Sequence, residues 1–165
     1  YQPIGAVMVS EKIYQALVEG SRRYGMLGTG FTYSGHPVPA AVAMETQRIY
    51  DDLKIGDHVK AMSGRFQARL HALADHPLVG EARGLGLIGA VELVEDKAAK
   101  RNFATDKKVG PRVMALAAEH GLIVRALIND TLAFCPPLII NEAQIDAMFD
   151  RFGRALDDAA AELAA

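Results

Sequence analysis

The sequence predicts an α/β protein in two parts: residues 1–55, the end of one α/β domain, and residues 56–165, a compact α+β domain. Three observations carry that reading. Short apolar runs of strand length alternate with stretches whose apolar residues recur every three to four positions. The triplet Ile55-Gly56-Asp57 interrupts a long helical pattern. Beyond it come two pairs of strand-like runs and a helix with strong start signals.

Composition narrows the function. The chain has 165 residues, 50% of them apolar, enough to bury a core. Its formal net charge is −2, with no block of like charges. A nucleic-acid partner is not expected, because phosphate backbones select a basic face. The single cysteine, Cys135, excludes an internal disulfide and fits a reducing, cytoplasmic setting. It stands in an apolar run and is expected to be a small buried hydrophobe. No run of ~18 apolar residues occurs, so no membrane partner is expected.

The elements follow in order. Ile4–Val9 reads as a short buried strand, and a chain beginning inside such a strand is expected to be the C-terminal portion of a longer polypeptide. Ser10 can cap a helix running to about Gly20, with Ile13, Leu17 and Val18 on one side. Residues 21–35 hold Gly25, Gly28, Gly30 and Gly35 without any period, which marks a long loop of the kind that often carries function. Pro37 opens a helix with Val38, Ala41, Val42, Ile49 and Leu53 on its apolar side. Asp57 can cap the next helix, whose stripe is Val59, Met62, Phe66, Leu70 and Leu73.

Strands are expected near Leu78–Arg83 and Leu87–Leu93, followed by a charged loop from Glu95 to Lys108. A helix from about Gly110 to His120 ends at Gly121, a suitable C′ residue. Leu122–Leu127 and Thr131–Cys135 flank Ile128-Asn129-Asp130, which predicts a β-hairpin ended by Pro136-Pro137. Asn141 and Gln144 form a capping box, with Ile140 and Ile145 as a hydrophobic staple. The helix they start buries Ile145, Met148, Phe149, Phe152 and Leu156, and the tail from Ala159 is expected to be solvated or frayed.

The candidate chemistry is concentrated in Gly30-Phe31-Thr32-Tyr33-Ser34-Gly35-His36-Pro37. A hydroxyl pair between glycines, directly before a helix, can offer backbone amides and side-chain O–H groups to a phosphate. The same residues also suit a plain turn in which Ser34 or Thr32 caps the helix. The run is not a Walker loop, since no Gly-Lys-Ser/Thr is present. Gly84-Leu85-Gly86-Leu87-Ile88-Gly89 matches G-x-G-x-x-G in form only. It leads into the strand-like Ala90-Val91-Glu92-Leu93 and not a helix, so its glycines mark bends or close backbone approach. Arg125 stands alone in an apolar strand run, so it must meet an ion-pair partner, solvent or a ligand anion. The five histidines show no metal-ligand spacing, and no metal is expected. Ser34 and His36 lack an acid partner for a hydrolase triad.

Taken in order, Tyr1-Gln2-Pro3-Ile4-Gly5-Ala6-Val7, Gly30 to Pro37, Arg83-Gly84-Leu85-Gly86-Leu87, Leu122-Ile123-Val124-Arg125 and Phe134-Cys135-Pro136-Pro137-Leu138-Ile139-Ile140 resemble the class III aminotransferases, and among them the omega-aminotransferases of the amine–pyruvate type. The resemblance spans essentially the whole chain. It implies a pyridoxal 5′-phosphate (PLP) enzyme of fold type I, the aspartate-aminotransferase-like fold, assembled as a homodimer or higher homo-oligomer. Residues 1–55 would then end the PLP-binding large domain, and residues 56–165 would be the small domain.

It further implies that Phe31 and Thr32 bind the cofactor phosphate of the neighbouring subunit, and that Arg125 binds the substrate carboxylate. The implied reaction moves an amino group from an amine or omega-amino acid to an α-keto acid such as pyruvate. The family's Schiff-base lysine is not in this sequence and would lie just upstream of Tyr1, so no catalytic residue is assigned here. An aminomutase or decarboxylase on the same fold, or an inactive binding module, are the alternatives.

Overall fold

The computed structural model describes residues 2–164. The chain divides between Leu53 and Lys54 into two compact units, two residues ahead of the expected break. Lys54 adopts the left-handed backbone conformation (φ 49°), which ends the preceding helix direction. Ile55 is buried and opens the next helix. Asp57, expected as its cap, lies instead in the first turn, where its charge complements the helix dipole.

The first unit contains helices α1 (Glu11–Tyr24) and α2 (Pro37–Asp52). The strand expected at Ile4–Val9 is not formed; the segment is exposed and pairs with no other described residue. A strand exists only where a neighbour takes its N–H and C=O groups. Ser10 occupies the N-cap position of α1, but its hydroxyl makes no cap bond. Helix α1 continues four residues past Gly20 and stops at Gly25, whose φ of 95° suits glycine. Neither helix buries a side chain.

The second unit is an antiparallel sheet packed by helices. Helix α3 (Ile55–Ala72) leads through a 3₁₀ turn to strands β1 (Val79–Leu85) and β2 (Ile88–Leu93). After the charged loop come α4 (Val109–Glu119), β3 (Arg125–Leu127), β4 (Thr131–Phe134) and α5 (Glu142–Ala164). The sheet order is β1-β2-β4-β3. Helix α3 packs on β1 and β2, α4 on β3 and β4, and α5 touches both helices. Along β2, Gly89, Val91 and Leu93 are buried while Ile88, Ala90 and Glu92 are less so, the period-two signature of a sheet with one packed face.

The expected stripe of α3 reaches this core, with Phe66 and Leu70 fully buried and Val59, Met62 and Leu73 packed at its margin. An aromatic cluster locks the centre. Phe66 and Phe149 lie 5.2 Å apart and Phe134 and Phe152 4.8 Å apart, both edge-on.

The glycines of the 84–89 run serve packing. Leu85 pairs with Ile88 across a two-residue turn whose first member, Gly86, has positive φ. A Cβ on Gly84 would sit 2.5 Å from the Ile88 carbonyl oxygen, and one on Gly89 would sit 2.5 Å from Leu70 Cδ2. The hairpin therefore lies against α3 with no room for side chains there.

Two expectations about the C-terminal third are corrected. Cys135 is exposed, because β4 ends at Phe134, which takes the inward position. The tail from Ala159 is neither frayed nor fully solvated. Ala159 is buried, and Arg112 Nε donates to Glu162 Oε2 at 2.7 Å, holding the last turn of α5 on α4.

The capping box at the start of α5 forms in both directions. Gln144 N–H donates to Asn141 Oδ1 at 2.9 Å, and Asn141 N–H donates to Gln144 Oε1 at 3.0 Å. Among the described residues, no helix is long and apolar enough to cross a membrane.

Candidate functional site

The glycine-rich run folds into a closed turn at the head of α2. Ser34 N–H donates to the Phe31 carbonyl at 2.9 Å, and Phe31 N–H donates to Ser34 Oγ at 3.1 Å. Gly35 (φ 71°) reverses the chain after it. His36 then takes the N-cap, its Nδ1 accepting from Val38 N–H at 3.2 Å, while Pro37 fills the first helical position. The cap is thus neither Ser34 nor Thr32. Because Nδ1 accepts, the proton of the neutral ring sits on Nε2.

This bonding leaves a specific set of donors unused. Thr32 Oγ1 and the N–H groups of Thr32 and Tyr33 have no partner among the described residues. All three belong to the centre of one turn, and both residues are exposed. Consecutive amides and a hydroxyl on a tight turn are the donor set an anion takes. A shallow groove of about 310 Å³ lies beside it, lined by Pro3, Ile4, Phe31, Tyr33 and Pro39. Phe31 is 86% exposed, so its ring is spent on nothing inside this unit. The residues fit a phosphate-bearing cofactor on chemistry: two free amides and a hydroxyl as donors, no carboxylate, and no competing internal bond on those donors.

Arg125 belongs to the second unit. It opens β3, the edge strand of the sheet, opposite Ala133. It is exposed and makes no ion pair with any described residue. The other strand arginine, Arg83, is by contrast held by Glu81 at 2.9 Å and Glu92 at 3.2 Å. Of the readings open for Arg125, a structural ion pair is not formed with any described residue. The guanidinium remains available to solvent or to an anion.

Two polar residues, His36 and Asp130, take roles that the sequence did not announce. His36 as cap was hidden by its neighbour Ser34, a commoner capping residue. Asp130 Oδ1 accepts from Gly110 N–H at 2.7 Å and so satisfies the start of α4 from the β3–β4 turn. Its partner is twenty residues away in the chain, a pairing that no local pattern announces.

Comparison with known proteins agrees with the motifs. The family model described as aminotransferase class-III matches residues 2–156. A putrescine–pyruvate aminotransferase of Pseudomonas aeruginosa is 45% identical over 100% of this chain and 35% of its own length. A chloroplastic gamma aminobutyrate transaminase 3 of Solanum lycopersicum is 38% identical over 96% of this chain and 30% of its own. Among solved structures, a transaminase with L-Ala aligns at TM-score 0.85 and 46% identity, covering 94% of this chain and 36% of that one. A thermostable omega transaminase mutant from Pseudomonas jessenii aligns at TM-score 0.81 and 42% identity, covering 92% and 33%.

The fold is that of the PLP-dependent fold type I proteins, α/β with a small antiparallel sheet. Within that class the chain belongs to the class-III aminotransferase family. It spans about a third of the length of the relatives it matches.

Proposed function

We propose that this chain is part of a PLP-dependent aminotransferase that moves an amino group from an amine or omega-amino acid to an α-keto acid such as pyruvate. The class-III match across residues 2–156 carries the reading. The relative named for putrescine and pyruvate supports the amine–pyruvate pair, and the unpartnered donors at Thr32 support a phosphate-bearing cofactor.

Thr32 would hold the cofactor phosphate through its hydroxyl and amide, and Phe31 would shape the wall beside it. Arg125 would pair with the acceptor's carboxylate in a planar, bidentate contact that orients the keto group. When bound, PLP supplies the electron sink that makes the amine's α-proton removable. This chain's share is anchoring and orientation. In the reading, the protein is a cytoplasmic homodimer and the turn at Phe31-Thr32 serves the neighbouring subunit's cofactor. Residues 1–55 would end the cofactor-binding domain, and residues 56–165 would form the small domain.

The test is a half-reaction with putrescine alone. The PLP of the purified protein should convert stoichiometrically to pyridoxamine phosphate, and pyruvate should restore it. Carbon dioxide release from an amino acid with no such conversion would replace transfer with decarboxylation. Sedimentation at the mass of one polypeptide would remove the dimer.

A further inference from the structure

We infer that Ser34 is the positioning residue for the phosphate contact at Thr32, an inference that rests on the phosphate reading of this turn. Ser34 is the usual residue type for a helix cap, but the cap of α2 is already made by His36 Nδ1. The Ser34 hydroxyl is used elsewhere, as acceptor for Phe31 N–H at 3.1 Å. Its backbone returns a bond to the Phe31 carbonyl at 2.9 Å. Both polar groups of the Phe31 backbone are therefore held by one residue. Between these two ties, the central residues Thr32 and Tyr33 keep unused amides.

The consequence is directional. Gly28 and Gly30 precede the turn and impose little on its backbone. With the Phe31 N–H unheld, the Gly30–Phe31 peptide could rotate about Phe31 and carry the turn that follows, with its donors, away from a common point. The Ser34 Oγ contact prevents that rotation. A second tie, His36 N–H to the Tyr33 carbonyl at 3.2 Å, joins the far side of the turn to α2. Thr32 Oγ1 is thus presented on a turn fixed at both ends. Ser34 acts through Thr32, by closing the turn, and does not itself meet the phosphate.

The measurement is the ratio of affinities for PLP and for pyridoxal, which lacks only the phosphate, in the whole purified protein. Thr32→Val should lower the ratio ~10–100-fold, the size of one lost charge-assisted hydrogen bond. Ser34→Ala should lower it ~3–10-fold, and Ser34→Thr, which keeps the hydroxyl, should stay within ~2-fold of the parent. In a Thr32→Val background, which keeps the turn amides, Ser34→Ala should change the ratio by less than it does in the parent, because the Thr32 hydroxyl is no longer there to position.

If Thr32→Val leaves the ratio unchanged, the phosphate reading fails and this inference with it. If Thr32→Val lowers the ratio and Ser34→Ala does not, the reading stands and the inference falls. Fully additive losses in the double variant would show that Ser34 does not act through the Thr32 hydroxyl and overturn the positioning role. Equal weakening of PLP and pyridoxal by Ser34→Ala would show a merely structural part. Should Ser34→Ala not fold, Ser34→Cys, a weaker acceptor of the same shape, takes its place with the same expected direction.

Discussion

The two units of this chain use apolar residues in opposite ways. In the unit from Lys54 onward, the periodic residues are buried and locked together. Among the described residues, every buried hydrophobic side chain lies there. Helices α1 and α2 carry comparable stripes and bury none of them; Ile13 remains 50% exposed and Val38 54%. Amphipathic spacing therefore predicts a helix equally well in both units but says nothing about what covers its face. The unit without a core is also the one that holds the phosphate-type turn. Its apolar residues stay uncovered within the unit, and those of the second unit are packed against one another.

Substitutions sharpen that contrast. The largest effect is expected at the aromatic centre. Phe149→Ala empties a site 2% exposed and should cost about 3–5 kcal/mol in thermal or urea unfolding. Thr32→Val should leave unfolding within about 0.5 kcal/mol in the cofactor-free protein. A comparable loss from both would break the comparison.

Next is Arg125→Ala, on the exposed edge of the packed unit. It should lower kcat/KM for the keto-acid half-reaction ~10–100-fold, with little change for a simple amine donor, because only the acid offers a carboxylate. Equal losses in both half-reactions would show that Arg125 does not read the carboxylate.

Gly84→Ala tests whether the glycine run is structural. Its Cβ meets a backbone carbonyl oxygen, which cannot swing aside, so a loss of about 1–3 kcal/mol in unfolding is expected. An unchanged midpoint would mean that the hairpin has slack against α3. Asn141→Ala removes one side of the capping box and should cost about 1 kcal/mol by the same measurement.

The smallest effect is electrostatic. Arg65 on α3 bonds Asp146 on α5, with Nε–Oδ1 at 3.1 Å, and holds that carboxyl below the usual aspartate range. A depressed carboxylate adds stability above its unfolded pKa and loses it as pH falls through the folded value. Arg65→Met should therefore lower the unfolding midpoint slightly at neutral pH, and the difference should close below about pH 4. A difference that widened in acid would reverse the assigned sign.

Much of the second unit was legible because its determinants are local. The α3 stripe, the Gly121 stop, the Ile128–Asp130 hairpin and the Asn141–Gln144 box each lie within one element or turn. Ile4–Val9 misled, since β-type composition makes a strand only when a partner edge is present. Cys135 misled because one residue's shift along a strand changes the face it meets. Ala159 misled because a small residue near a chain end gives no sign of the α4 surface that buries it.

The sequence by itself determined the family, the helices with their stops, and the residue types of the candidate site. These reside in local spacing and in motif order along the chain. The tertiary structure alone decided that Leu70 leaves no side-chain room at Gly89, that Asp130 satisfies α4, that Arg125 has no ion-pair partner among the described residues, and that His36, not Ser34, caps α2. The physical reason is common to them: each depends on which groups compete for the same space or the same hydrogen bond, and that competition exists only once the chain has folded.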